Sequence, residues 1–179
     1  MTIEVKNNGW LFLYRNLWCK NIEFYTKENK YKDIVKVLNI KNRKERIACI
    51  YDLAIIYVNK YYSDDLCQFV NNQCVAQRNG GSLEINGCCK KCHLVTEKGC
   101  PSSNLPCKLI YCKTALGNVK LLKFGQIDIL KCLSIKSRII LMSSFFNTRE
   151  EILNDLNGGL VYSIIRGLKR EFIKKKQST

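Results

Sequence analysis

The clustering of cysteines most limits what this chain can fold into. Eight of its eleven cysteines lie between residues 67 and 112 of the 179-residue sequence. They are Cys67, Cys74, Cys88, Cys89, Cys92, Cys100, Cys107 and Cys112. Thiols at this density are normally joined by disulfides, by zinc or by an iron–sulfur cluster. The stretch therefore predicts a cross-linked segment rather than an ordinary apolar core.

The N-terminal sequence indicates which of these links to expect. Residues 1–8 are polar, and the longest unbroken apolar run, residues 53–58, has six residues. A membrane helix needs about 20, and no signal peptide is recognisable. We therefore expect a cytoplasmic protein with no transmembrane segment. Because cytosolic thiols stay reduced, dense cysteines in that compartment indicate metal ligands more than disulfides.

The spacing of the cysteines fits two kinds of metal centre. Eight thiolates make two tetrahedral zinc sites, and Cys89 and Cys92 form the short C-x-x-C pair that such sites usually contain. His93, the single histidine of the chain, is an additional candidate ligand. An iron–sulfur cluster also takes thiolates, and Cys100-Pro101 is similar to the Cys-Pro end of a ferredoxin ligand run. Zinc is our first expectation and an iron–sulfur cluster is the alternative.

The cysteine pattern also resembles the YkgJ-type cysteine-cluster proteins. The matching residues are Cys88-Cys89, Cys92, Gly99-Cys100-Pro101, Cys107 and Cys112. These are small bacterial proteins to which zinc or an iron–sulfur centre is attributed. The resemblance covers residues 67–112, and its gap from Cys67 to Cys74 is longer than the family usually has. It implies that all eight cysteines are ligands, and it implies little about biochemical role.

Apolar periodicity divides the chain into three parts. Residues 1–66 and 118–179 carry apolar residues at three- and four-residue steps, which predicts helices. Residues 67–117 contain turn formers and few apolar residues, so we expect the cysteines to order them through a metal. The predicted fold is mainly α. A loop-rich, metal-stapled cysteine module is inserted between N- and C-terminal helices that together form one helical domain.

Residues 31–38 have helical spacing, and three further helices can be placed within the helical parts. Apolar spacing predicts a helix over about residues 43–62. The Thr148–Glu151 capping box predicts a second helix that starts near Arg149, and Asn157-Gly158-Gly159 predicts its end. A last helix is expected over about residues 160–174.

The excess of basic residues suggests a polyanionic partner. Lys and Arg number 30 against 15 Asp and Glu, and the two helical parts carry +4 and +7. In the last predicted helix, apolar residues recur on one face, namely Val161, Ile164, Ile165, Leu168 and Phe172. Its candidate nucleic-acid contacts are Arg166, Lys169, Arg170 and Lys174. One alternative is a helix with a core-facing apolar side and solvated lysines, and another is a basic amphipathic helix that lies on an anionic membrane.

No catalytic constellation is recognisable in the sequence. One histidine is too few for most Ser-His-Asp or histidine-rich metal chemistry, and no P-loop or H-E-x-x-H motif is present. We therefore expect a non-catalytic protein that presents a basic surface to nucleic acid or a nucleoprotein. One alternative is a small inhibitor or adaptor that binds a nucleic-acid-handling enzyme, as anti-CRISPR proteins do. The other is an iron–sulfur redox or sensor protein, which is also the main enzymatic alternative.

Overall fold

The structure is a computed structural model that describes most of the helical parts and about half of the cysteine-rich segment, residues 67–117. The described residues are 2–6, 22–62, 66–68, 70–71, 73–79 and 104–177. Among them the chain is mainly helical, as periodicity predicts. The inserted cysteine module stays a prediction, because the rest of that segment lies outside the described residues.

The predicted helix over residues 43–62 is confirmed and forms the centre of the fold. Helix α1 spans Lys32–Asn39 and helix α2 spans Arg43–Tyr61. The Asn42 side chain caps α2 by accepting the N–H group of Lys44 at 2.9 Å, which satisfies one of the free donors at the helix start. The buried face of α2 consists of Ile47, Ile50, Tyr51, Ala54 and Val58. This face and α1 contact each other and supply much of the core.

Two short strands pack beside α1. Strand β1 spans Thr2–Glu4 and pairs in parallel with strand β2, which spans Glu23–Tyr25. The amide of Asn39, at the end of α1, accepts from the backbone N–H of Phe24 and donates to its carbonyl, both at 2.8 Å. The side chain thus acts as a strand neighbour at the edge of β2, which joins the strand pair to the helices.

Three short helices lie in the described part of residues 67–117. Helix α3 spans Val75–Arg78, α4 spans Leu105–Lys108 and α5 spans Lys113–Leu116. Two 3₁₀ segments, Phe124–Gln126 and Asp128–Cys132, come next. Helix α6 spans Ile135–Ser143 and α7 spans Arg149–Gln177. Part of the sequence that predicted regular helix is therefore 3₁₀, with Ile129 and Leu130 still buried in the core.

Helix α4 belongs to the hydrophobic core, which differs from the expectation that residues 67–117 add little to it. Leu105 is fully buried and Leu109 is nearly so. The buried Asn104 side chain caps α4 and donates to the carbonyl oxygen of Asn147 at 2.7 Å. A four-residue helix is too short to show a helical period, so periodicity could not reveal this contact.

The predicted start of α7 is confirmed by its capping hydrogen bonds. The Thr148 N–H group donates to Glu151 Oε2 at 2.8 Å, and the Glu151 N–H group donates to Thr148 Oγ1 at 3.2 Å. This reciprocal pair is the capping box that the sequence predicts. Arg149 then ties the helix to α2 through two 2.7 Å hydrogen bonds to the Asp52 carboxylate.

The predicted break after Asn157 is also present. Gly159 has φ 84° and ψ −179°, so the helix is interrupted at this residue. Arg43 donates to the carbonyl oxygens of Leu156 and Asn157 at 3.1 and 3.2 Å, which satisfies acceptors at the end of the first half. The second half, residues 160–177, leaves in a new direction.

Candidate functional site

Cys67 and Cys74 are the two ends of a closed loop. Val75 N donates to Cys67 O at 2.8 Å, and Val70 and Gln73 exchange two backbone hydrogen bonds of 3.0 Å each. The chain therefore turns back on itself within the six residues that separate the cysteines. Because the loop closes, the backbones of Cys67 and Cys74 lie next to each other. A pair with this spacing can then serve one metal site, as a short-spaced pair does.

Cys112 lies in the same region of the fold. Its Sγ atom is the N-cap acceptor of α5 and receives the N–H group of Ala115 at 3.4 Å. Helix α5 contacts α3, which begins directly after Cys74. Hydrogen bonds from N–H groups to sulfur are outer-shell contacts that stabilise thiolate ligands in metal sites. The environment of Cys112 therefore fits a metal ligand.

Of the remaining predicted ligands, only Cys107 lies among the described residues. Cys107 is half-buried in α4, which contacts α2 and α6. Four cysteines and the histidine lie outside the described residues, namely Cys88, Cys89, Cys92, Cys100 and His93. Among the described residues, no three His, Cys, Asp or Glu side chains are grouped closely enough to hold a metal ion. The full ligand set, and the choice between zinc and iron–sulfur, therefore stay predictions.

Two cysteines outside the cluster have a different environment. Cys49 and Cys132 are partly buried and pack against the hydrophobic core. Burial raises the pKa of the Cys132 thiol to about 12, and burial also raises the pKa of the Cys49 thiol above its usual value. Metal ligation requires the thiolate. The raised pKa favours the neutral thiol in both residues, and both pack as small apolar side chains, while Cys19 lies outside the described residues.

Arg166 has a contact that its predicted role does not include. Its guanidinium forms an ion pair with the Asp155 carboxylate and lies 3.6 Å from Glu151 Oε1. The Asp155 side chain is 1% exposed and that of Arg166 is 20% exposed. Arg166 thus joins the two halves of α7, and its predicted contact with nucleic acid would have to break this pair. Eleven residues along a straight helix span about 16 Å, so sequence spacing could not reveal the contact without the bend at Gly159.

The other three candidate nucleic-acid contacts fall in the last part of α7. Lys169, Arg170 and Lys174 lie within the helical backbone, and their side chains are outside the described residues. Their predicted role stays a prediction.

Three apolar residues at the start of the second half of α7 face solvent. Val161 is 71% exposed, Ile164 is 54% exposed and Ile165 is 49% exposed. In a helix of 3.6 residues per turn, Val161 and Ile164 lie roughly opposite Arg166. Since Asp155 and Glu151 hold Arg166 against the body, the opposite side points away from it. The expectation of a core-facing apolar side is therefore wrong for these residues.

Tyr51 of α2 and Tyr62, the residue that follows this helix, attach the chain at residues 105 and 122. Tyr51 and Tyr62 are buried, and their hydroxyl oxygens accept the N–H groups of Leu105 at 3.3 Å and Leu122 at 2.9 Å. Burial raises the pKa of both phenols above the usual value. These two rings have structural contacts and are not available to stack on bases.

Comparison with known proteins gives no relative for this site. No protein-family model, curated protein or solved structure matches the chain. Within the described part of the chain, every helix is too short or too polar to cross a bilayer. The resemblance to YkgJ-type proteins therefore stays a prediction that rests on the cysteine pattern.

Proposed function

We propose that the chain is a non-catalytic cysteine-cluster protein that holds zinc and presents a basic surface to nucleic acid or a nucleoprotein. The proposed ligands are Cys67, Cys74, Cys88, Cys89, Cys92, Cys100, Cys107 and Cys112. The single observation that best supports the metal site is the closed loop between Cys67 and Cys74. An iron–sulfur cluster is the alternative occupant of the same thiolates.

The proposed metal has a structural role. Helices α3 and α5 contact each other although most of the stretch between them lies outside the described residues. Zinc bound to cysteines from both sides of this stretch would cross-link it, and the binding free energy would become folding free energy. The half of the fold around α2 has its own core, so it would remain helical without metal.

The net charge of the C-terminal part supports the proposed basic surface. Residues 118–179 carry twelve Lys and Arg against five Asp and Glu, which gives +7. Asp155 and Glu151 hold Arg166, so the contacts proposed for nucleic acid are chiefly Lys169, Arg170 and Lys174. Phosphate contacts of this kind provide affinity without sequence specificity.

We expect the protein to retard single-stranded and duplex nucleic acid in gel-shift assays at low salt. The combined change Lys169→Ala, Arg170→Ala and Lys174→Ala should weaken binding, because the protein then neutralises fewer phosphates and binding releases fewer counterions. The slope of log affinity against log salt should become shallower by about 0.7–0.9 for each phosphate that is no longer neutralised. The measurement is a salt titration of the gel shift for both proteins.

A control variant removes the same charge from another part of the chain. Lys27→Ala, Lys30→Ala and Lys32→Ala change three exposed lysines near the start of α1. This variant should keep most of the slope if the C-terminal helix is the interface. Complete absence of a shift at low salt would refute the nucleic-acid part of the proposal. A stable protein partner without affinity for nucleic acid would instead favour the inhibitor or adaptor function.

A further inference from the structure

The second half of α7 combines an exposed apolar side with a high density of basic residues. Residues 160–177 contain six Lys and Arg and one Glu, a net charge of +5. Val161, Ile164 and Ile165 are each about half exposed or more. We infer that this half-helix, called the C-terminal helix below, docks on an anionic lipid surface with its apolar side in the membrane interface.

The C-terminal helix turns its exposed apolar residues away from the rest of the protein. Arg166 is held toward the body by Asp155 and Glu151, whereas Val161 and Ile164 lie on the opposite side of the helix. An apolar side that points away from its own protein can be covered only by something else. In the sequence, Leu168 and Phe172 continue the same spacing. An exposed apolar patch of this kind marks an interaction surface.

Charge complementarity indicates which partner covers the exposed apolar side of the C-terminal helix. A helix with an apolar side and Lys/Arg on its polar side lies in the interface of anionic bilayers, where apolar burial and electrostatic attraction add. A second copy of the chain would bring two +5 helices together within a protein of net charge +15. Nucleic acid would satisfy the basic residues but would leave Val161, Ile164 and Ile165 in water. Anionic lipid matches both sides of the helix.

The break at Gly159 allows the C-terminal helix to take this orientation relative to the first half of α7. A non-helical residue with φ 84° allows the second half to leave the axis of the first. Gly158 is also required here, because a Cβ atom at this position would lie 2.6 Å from the Tyr162 ring. The bend and the ion pairs together hold Arg166 toward the protein, and Val161 and Ile164 are left on the side that can meet the lipid surface.

The inference is tested by co-sedimentation of the full chain with phosphatidylcholine vesicles that contain phosphatidylserine. We expect binding to these vesicles, and roughly tenfold weaker binding to pure phosphatidylcholine vesicles. The variant Val161→Gln, Ile164→Gln and Ile165→Gln should bind the anionic vesicles roughly 100-fold more weakly, since three apolar side chains no longer enter the interface. Gln has a helix propensity at least as good as Val or Ile, so the helix and the thermal midpoint should be unchanged.

A matched control makes three apolar-to-Gln changes at exposed positions outside α7. Ile56→Gln, Val119→Gln and Ile135→Gln should leave vesicle binding unchanged, because these residues are exposed elsewhere in the fold. The α7 variant keeps every charge, so it should also keep the gel shift, and this outcome separates the inference from the proposed nucleic-acid function. Two results would overturn the inference. One is wild-type-like vesicle binding by the α7 variant, and the other is a stable dimer in light scattering that this variant dissociates.

Discussion

Arg166→Ala is expected to lower the free energy of unfolding by about 3 kcal/mol, because it leaves a carboxylate buried without its partner. Asp155 is 1% exposed and forms its ion pair with Arg166. Asp155 Oδ1 has no hydrogen-bond partner within the described part of the chain, so the Asp155 carboxylate depends strongly on this one cation. The measurement is urea unfolding followed by circular dichroism.

An exposed ion pair of the same helix is the matched control. Arg149 pairs with Asp52, and both side chains are about half exposed. Arg149→Ala should cost about 0.2–1 kcal/mol, because water screens and solvates such a pair. The double variant Asp155→Ala and Arg166→Ala should regain part of the stability lost in Arg166→Ala, since the buried charge is gone. Equal losses for Arg166→Ala and Arg149→Ala would show that the buried pair does not have the role described.

Leu105→Ala is expected to lower the free energy of unfolding by about 3 kcal/mol through loss of apolar burial and creation of a cavity. Leu105 is fully buried, and its N–H group donates to the buried Tyr51 hydroxyl. The same truncation at Leu160, which is 37% exposed, should cost about 1 kcal/mol or less. Urea unfolding of both variants measures the difference.

The loss of unfolding free energy in Leu105→Ala should not depend on bound metal. Leu105 packs in the core around α2, so the gap between Leu105→Ala and Leu160→Ala should persist after treatment with a chelator. If Leu105→Ala were as stable as Leu160→Ala, α4 would not be part of the core as described. If the gap vanished on chelation, the metal would be needed to dock α4.

Local sequence signals predicted the elements that local interactions determine. Helix α2 has a long apolar period, the start of α7 has a capping box, and its break has paired glycines. Each of these depends on residues within a few positions of one another, so a single sequence contains enough information to place them.

The features that sequence missed depend on residues far apart in the chain. The strand pair joins residues 2–4 to 23–25, and Leu105 is buried against α2 rather than within its own segment. The pairing of Arg166 with Asp155 requires the bend at Gly159, which periodicity does not describe. The same bend leaves Val161 and Ile164 facing outward, although one alternative for this helix was a core-facing apolar side. Of the candidate metal site, the sequence supplies the ligand types, and the structure adds the loop that joins Cys67 to Cys74.

Metal content of the purified protein tests the central claim most directly. The full chain would be purified anaerobically under reducing conditions, and elemental analysis and the visible spectrum would be recorded for the wild type, Cys92→Ser and Cys132→Ser. The account predicts a colourless wild type with about two zinc ions per chain, while a brown protein with a visible band would assign the same thiolates to iron–sulfur. Cys92→Ser should lose metal and Cys132→Ser should retain it, because the Cys132 thiol is packed against the core with its pKa raised to about 12. A metal-free wild type, or a full metal load in Cys92→Ser with loss in Cys132→Ser, would contradict the cysteine-cluster assignment.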